Sequence, residues 1–122
     1  MEQKHPIHCI GVIVDGNRRW AHANGLPTLE GHRAGYEKLK EFFRWARDAG
    51  ITHVIAYIFS SENWNRSPEE VSYLMKLLKH ACDSEVDEFK KENAKIRVIG
   101  ERARLPKDVR EAVEHAQETT KD

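Results

Sequence analysis

Asp15-Gly16-Asn17-Arg18-Arg19-Trp20 places a carboxylate, a glycine, an amide and two guanidiniums side by side, directly after the apolar run Ile7 to Val14. Groups of this kind can hold a metal-bound diphosphate. A carboxylate at the C-terminal end of a strand faces the crevice where open α/β sheets take their ligands. Gly16 lets a phosphate approach the backbone closely, and Arg18 and Arg19 can fork onto its oxygens. The same residues also suit an ordinary strand-to-helix turn, with Asp15 and Asn17 as helix caps and both arginines in water.

A second polar run strengthens the first reading. Thr52 to Phe59 reads as another strand and ends in Ser60-Ser61-Glu62-Asn63-Trp64-Asn65-Arg66. If the two strands are parallel, both runs reach the same edge of the sheet. The connection must then be helical, and Tyr36, Leu39, Phe42, Phe43 and Ala46 recur at helical spacing before Gly50 supplies a stop. A βαβ unit is the expected arrangement. Asp15, Arg18, Arg19, Ser60, Asn63 and Arg66 could line one pocket, whose single carboxylate suits a hard cation such as Mg²⁺.

The rest of the chain supplies the frame. Ser67-Pro68-Glu69-Glu70 is a helix start, with Ser67 as N-cap and Pro68 at the first helical position. Val71, Leu74, Leu78, Ala81 and Cys82 share one face of that helix, which is expected to run to about Asn93. Lys95 to Gly100 reads as a third strand, and Pro106 opens a final helix with Val109, Ala112, Val113 and Ala116 inward. The predicted fold is α/β: a parallel β-sheet with flanking helices in βαβαβα order, forming one compact unit over residues 1–122. Three strands make a thin sheet with an edge open to pairing.

Asp15 to Ala21, Gly31-His32-Arg33-Ala34-Gly35 and Phe59 to Arg66 resemble, in order, the signature blocks of the cis-prenyltransferases of the undecaprenyl diphosphate synthase type. The resemblance implies condensation of isopentenyl diphosphate onto an allylic diphosphate such as farnesyl diphosphate, with cis stereochemistry, to give a polyprenyl diphosphate. It implies Mg²⁺ on Asp15, and it gives Gly16, Asn17, Arg18, Arg19, Trp20 and His32 to the allylic diphosphate. Ser60, Ser61, Glu62, Asn63, Trp64 and Arg66 become substrate contacts, with Asp15 and Asn63 as the catalytic pair. An amide is a poor base near neutral pH, so Asn63 is expected to orient substrate while diphosphate oxygens take the proton. A structural role, packing on the sheet edge, is open to Trp64. Thr28 departs from the family, which usually carries a phosphate-binding arginine there. Ile58 stands where long-chain members often have a small residue, and it is expected either to narrow the path of the growing chain or to pack in the core.

Members of that family continue into further strands, a basic Arg-x-Arg segment and a late metal-binding carboxylate, none of which is matched here. The resemblance therefore predicts that residues 1–122 are the N-terminal part of such an enzyme, truncated relative to the family and incomplete alone. A non-catalytic diphosphate-binding partner subunit, or a truncated remnant, is the alternative. A homodimer is implied for the intact enzyme.

Composition narrows the partners. Twenty basic and twenty acidic side chains cancel, which argues against a nucleic-acid footprint. Cys9 and Cys82 lack ligand spacing and are expected to be buried thiols in a reducing, cytoplasmic setting. No run approaches the ~20 apolar residues of a membrane span, so membrane contact would be peripheral. The remaining histidines lack metal-ligand spacing.

Overall fold

A computed structural model describes residues 7–121, which fall into two compact units divided between Arg66 and Ser67. The boundary coincides with the Ser67-Pro68 helix start.

In the first unit, strand β1 (Cys9–Ile13) is followed by helices α1 (Asn17–Ala23) and α2 (Thr28–Asp48), strand β2 (His53–Tyr57) and a 3₁₀ turn (Ser61–Asn65). The strands are parallel, in register from Cys9 opposite His53 to Ile13 opposite Tyr57. Their entry is pinned at the carbonyl of His8, which accepts from the Thr52 and His53 amides at 2.9 and 3.0 Å and from Thr52 Oγ1 at 3.0 Å. The helical connection predicted from Tyr36 to Ala46 lies within α2, whose repeat residues are half-buried and whose Ala46 is buried. Both helices stop by the same device. Gly25 and Gly50 adopt left-handed φ of 67° and 89°, and the following amides, of Leu26 and Ile51, reach back to the carbonyls of Ala21 and Ala46 at 2.8 and 3.0 Å. That is the Schellman closure, which a glycine permits without steric cost.

Burial alternates along both strands. Ile10, Val12, Val54 and Ala56 are half-buried, while Ile13, Ile55 and Tyr57 stay exposed, Ile13 by 74%. The expectation for Cys9 is therefore corrected: it is exposed, whereas Cys82 is buried. An apolar run in a parallel sheet normally has both faces covered. Among the described residues of this unit, the face carrying Cys9 and Ile13 is exposed.

The second unit holds α3 (Pro68–Ser84), α4 (Val86–Lys91) and α5 (Lys107–Thr119). Ser67 Oγ accepts from the Glu70 amide at 3.2 Å, as its capping position predicts. The helix expected to run to Asn93 is interrupted at Glu85, and α4 ends where Asn93 takes φ 60° and the Ala94 amide reaches the Phe89 carbonyl at 2.8 Å. Met75, Cys82, Val86, Val109, Ala112, Val113 and Ala116 are buried; all four inward residues predicted for α5 are among them.

The predicted third strand is corrected. Residues 95–100 join no sheet. Burial still alternates from Ile96 to Ile99, but the amides of Ile96 and Val98 donate to Thr120 Oγ1 and Gln117 Oε1 at 2.9 and 2.6 Å. Strand periodicity needs a neighbouring backbone edge to become a ladder, and within this unit side chains of the last helix take that place. The order among the described residues is thus β-α-α-β, a 3₁₀ turn, and three helices.

Candidate functional site

Parallel pairing decides the geometry. Because Ile13 lies opposite Tyr57 at the ends of β1 and β2, the Asp15 turn and the Ser60–Arg66 turn leave the sheet at the same end, that of the strand C-termini.

The first turn is built on Gly16, whose φ of 84° and ψ of 1° lie in the left-handed region. Its amide donates to Asp15 Oδ1 at 2.7 Å, and its carbonyl receives the first helical hydrogen bond, from Trp20, at 2.9 Å. Asp15 is therefore bound to its neighbour's amide and does not cap α1, whose N-cap makes no side-chain hydrogen bond. The carboxylate is 78% exposed, with Oδ2 3.5 Å from Arg19 Nη2. An ion pair this open contributes about 0–1 kcal/mol, so both groups remain available to a ligand at small cost. Arg18 is exposed and Trp20 partly so on the same short helix.

Opposite, Ser60 caps the 3₁₀ turn. Its amide donates to Asn63 Oδ1 at 2.8 Å in a capping-box arrangement, and the Asn63 and Arg66 amides close back onto the carbonyls of Ser60 and Asn63 at 3.0 and 3.1 Å. The Phe59 ring meets Trp64 edge-on at a centroid distance of 4.8 Å, anchoring the turn to the strand's end. Trp64 thus has the packing role its position suggests. Asn63 directs its carbonyl oxygen into the turn, and its amide N–H groups are what it can turn toward a ligand. Ser61 and Glu62 are exposed, and Arg66 is half-buried.

Ile58 is 55% exposed and lies beyond the last residue of β2. A side chain this exposed does not pack in the core, so the core alternative is not borne out.

The third block opens α2. Thr28 is its first residue, and His32 is buried, at 6% exposure. Gly31 and Gly35 lie against Asn17, the first residue of α1, a contact that residue types alone did not predict. The available signal was two glycines four residues apart inside a helix, where glycine is costly unless something must come close.

Among the described residues no three His, Cys, Asp or Glu side chains gather into a metal cage. Mg²⁺ keeps several waters and is commonly held by one or two carboxylates plus substrate phosphates. An exposed Asp15 beside two arginines fits a cation that arrives with a diphosphate.

Fold and site together define an α/β protein whose polar turns gather at the C-terminal end of a parallel strand pair. The sequence profile of the family described as "Putative undecaprenyl diphosphate synthase" matches residues 13–122, and the chain belongs to that prenyltransferase family. An isoprenyl transferase of Agrobacterium fabrum is 44% identical over 115 residues, 94% of this chain and 46% of the relative. One from Clostridium perfringens is 39% identical over 122 residues, all of this chain and 48% of the relative. The crystal structure of lavandulyl diphosphate synthase from Lavandula x intermedia in complex with dimethylallyl diphosphate superposes with a TM-score of 0.89 at 29% identity, over 93% of this chain and 49% of that one. A probable undecaprenyl diphosphate synthase from Campylobacter jejuni gives 0.75 at 26% identity, over 97% and 50%. The chain spans about half the length of the curated relatives it matches.

Proposed function

We propose that this chain supplies the allylic-diphosphate side of a cis-prenyltransferase active site, in which isopentenyl diphosphate is condensed onto an allylic diphosphate such as farnesyl diphosphate. The observation that carries the reading is the register of β1 and β2, which sends the Asp15 and Asn63 turns from one end of the sheet in a chain of prenyltransferase family. The neighbour crystallised with dimethylallyl diphosphate supports an allylic diphosphate as the ligand class.

Asp15 and the diphosphate oxygens would hold Mg²⁺, which when bound neutralises the negative charge that grows on a departing diphosphate. Arg19, 3.5 Å from the Asp15 carboxylate, swings onto diphosphate oxygens as a second source of positive charge, with Arg18 beside it. Asn63 orients substrate through its N–H groups, since its carbonyl oxygen already serves the Ser60 amide. Arg66 and Ser60 complete the polar rim. His32 is buried in α2, and a contact with the allylic diphosphate is assigned to it by the family resemblance.

Because the chain spans about half the length of its relatives, its activity is proposed to depend on a C-terminal half carrying the isopentenyl diphosphate site. Cytoplasmic location, peripheral contact with lipid product and a homodimer of the intact enzyme belong to the same proposal. The test is a titration of the isolated chain with farnesyl diphosphate, with and without Mg²⁺, alongside incorporation of labelled isopentenyl diphosphate. Weak, Mg²⁺-dependent binding without incorporation is expected. Robust elongation by this chain alone would overturn the half-site reading, and absence of Mg²⁺-dependent binding would overturn the ligand assignment.

A further inference from the structure

We propose that Gly31 and Gly35 are positioning residues for the diphosphate turn: they let α2 seat Asn17, and through Asn17 they fix the direction in which Asp15 and Arg19 face the ligand. The inference rests on the functional reading above for its ligand, and on packing alone for its geometry.

The two glycines meet different parts of one residue. A Cβ at position 31 would lie 2.9 Å from the Asn17 carbonyl carbon and 3.0 Å from Ala21 Cβ, and nearer still to the Asn17 carbonyl oxygen. A Cβ at position 35 would fall 2.5 Å from Asn17 Nδ2 and 2.6 Å from its Cγ, with Oδ1 closer again. So the Asn17 main chain rests against Gly31 and its side-chain amide against Gly35. Positions four apart lie on one helix stripe, which makes the pair a continuous shallow seat. Gly31 and Ala21 are both buried in this contact region.

Both glycines stand inside α2, where alanine would be the better helix former. Close approach gives a reason for them. Asn17 directly follows Gly16, whose left-handed backbone turns the chain out of the Asp15 position. A shift of Asn17 away from α2 would be passed along one residue of fixed backbone to Gly16, and with it to the Gly16 amide that holds Asp15 Oδ1 at 2.7 Å. The Gly31-His32-Arg33-Ala34-Gly35 block thereby gains a role that needs no contact with ligand.

The collisions differ in kind, and that gives the test. At position 35 a methyl group meets side-chain atoms of Asn17, which Asn17→Ala removes. At position 31 it meets the Asn17 main chain, which no substitution at Asn17 removes. Three properties are measured for Gly35→Ala, Gly31→Ala and each combined with Asn17→Ala: the thermal midpoint, the Gly16 amide resonance, and affinity for inorganic pyrophosphate with Mg²⁺. Gly35→Ala is expected to shift the Gly16 resonance, lower the midpoint and weaken pyrophosphate binding roughly tenfold or more. Measured against Asn17→Ala alone, Gly35→Ala should no longer change the midpoint or the Gly16 resonance, whereas Gly31→Ala should still change both. If Gly35→Ala keeps the wild-type resonance and affinity, or if Asn17→Ala rescues both glycine variants alike, the seating role is overturned. Failure of the unaltered chain to bind pyrophosphate with Mg²⁺ would count against the functional reading instead, and the resonance and midpoint would still judge the seat.

Discussion

At the scale of single residues, exposure sets Asp15 and Arg19 of the proposed site apart from the residues that carry the fold. Asp15 is 78% exposed, with an open ion pair to Arg19 and a local hydrogen bond from the Gly16 amide. Asp15→Asn is therefore expected to leave chemical denaturation within about 0.5 kcal/mol of the parent, while Mg²⁺-dependent pyrophosphate affinity drops by at least about tenfold, roughly 1.4 kcal/mol. Calorimetric titration of the two proteins checks it. In the proposed site Asn63 would combine both duties, since its Oδ1 also satisfies the Ser60 amide. Asn63→Ala should cost about 1 kcal/mol of stability through loss of the cap. Asn63→Asp keeps the acceptor and loses the N–H donors, so it should hold stability and lose substrate orientation; equal thermal midpoints for the two variants would count against this division. The thiols divide similarly. Burial, with Asp83 adding, pushes the Cys82 thiol above its ordinary value of 9.0. The folded chain then holds that proton at pH values where the unfolded chain has released it, so stability is constant below the ordinary value and falls as pH rises above it. A urea midpoint that declines at alkaline pH, and declines less in Cys82→Ser, is the expected result. Cys9, exposed, should alkylate first.

At the scale of elements, the segment from Ile96 to Ile99 shows how a strand pattern can be satisfied without a strand. Thr120 is buried, accepts from the Ile96 amide at 2.9 Å and donates to the Ala116 carbonyl at 2.8 Å. Thr120→Val keeps the shape and leaves a part-buried amide without that acceptor. A loss of about 1–3 kcal/mol is expected, read by denaturation, together with faster hydrogen exchange at Ile96. Beyond β2, Ile58 tells the converse story. With half its surface open, Ile58→Ala should change stability by no more than about 0.5–1 kcal/mol, so any effect of this residue on product length in an intact enzyme could be assayed free of a folding defect.

For the molecule as a whole, the exposed apolar residues on one face of the strand pair are the feature with consequences. Ile13, Ile55 and Tyr57 are exposed on it, and the acidic and basic side chains balance to zero net charge. Apolar area of this kind marks an association surface, and the lack of net charge removes the repulsion that keeps proteins apart. The isolated chain is expected to bind anilinonaphthalene sulfonate and to associate at rising concentration near neutral pH. Ile13→Lys should reduce both, as followed by dye fluorescence and sedimentation, and dye binding unaltered by that change would place the apolar surface elsewhere.

The local elements and the chemistry of the turns were legible in the order of residues along the chain. Gly50 ended α2 and Ser67-Pro68 began α3 because helix termini are set by backbone dihedrals and nearby hydrogen bonds, and the three blocks carried the family from residue types alone. Only tertiary structure could decide what depends on partners distant in the chain. Whether Lys95 to Gly100 became a strand depended on a neighbouring edge. Cys9 came to lie on the exposed face of the strand pair, and Asn17 was held by two glycines on another helix. Periodicity records which side of an element is apolar, and it leaves to the assembled fold the question of what, if anything, comes to lie against that side.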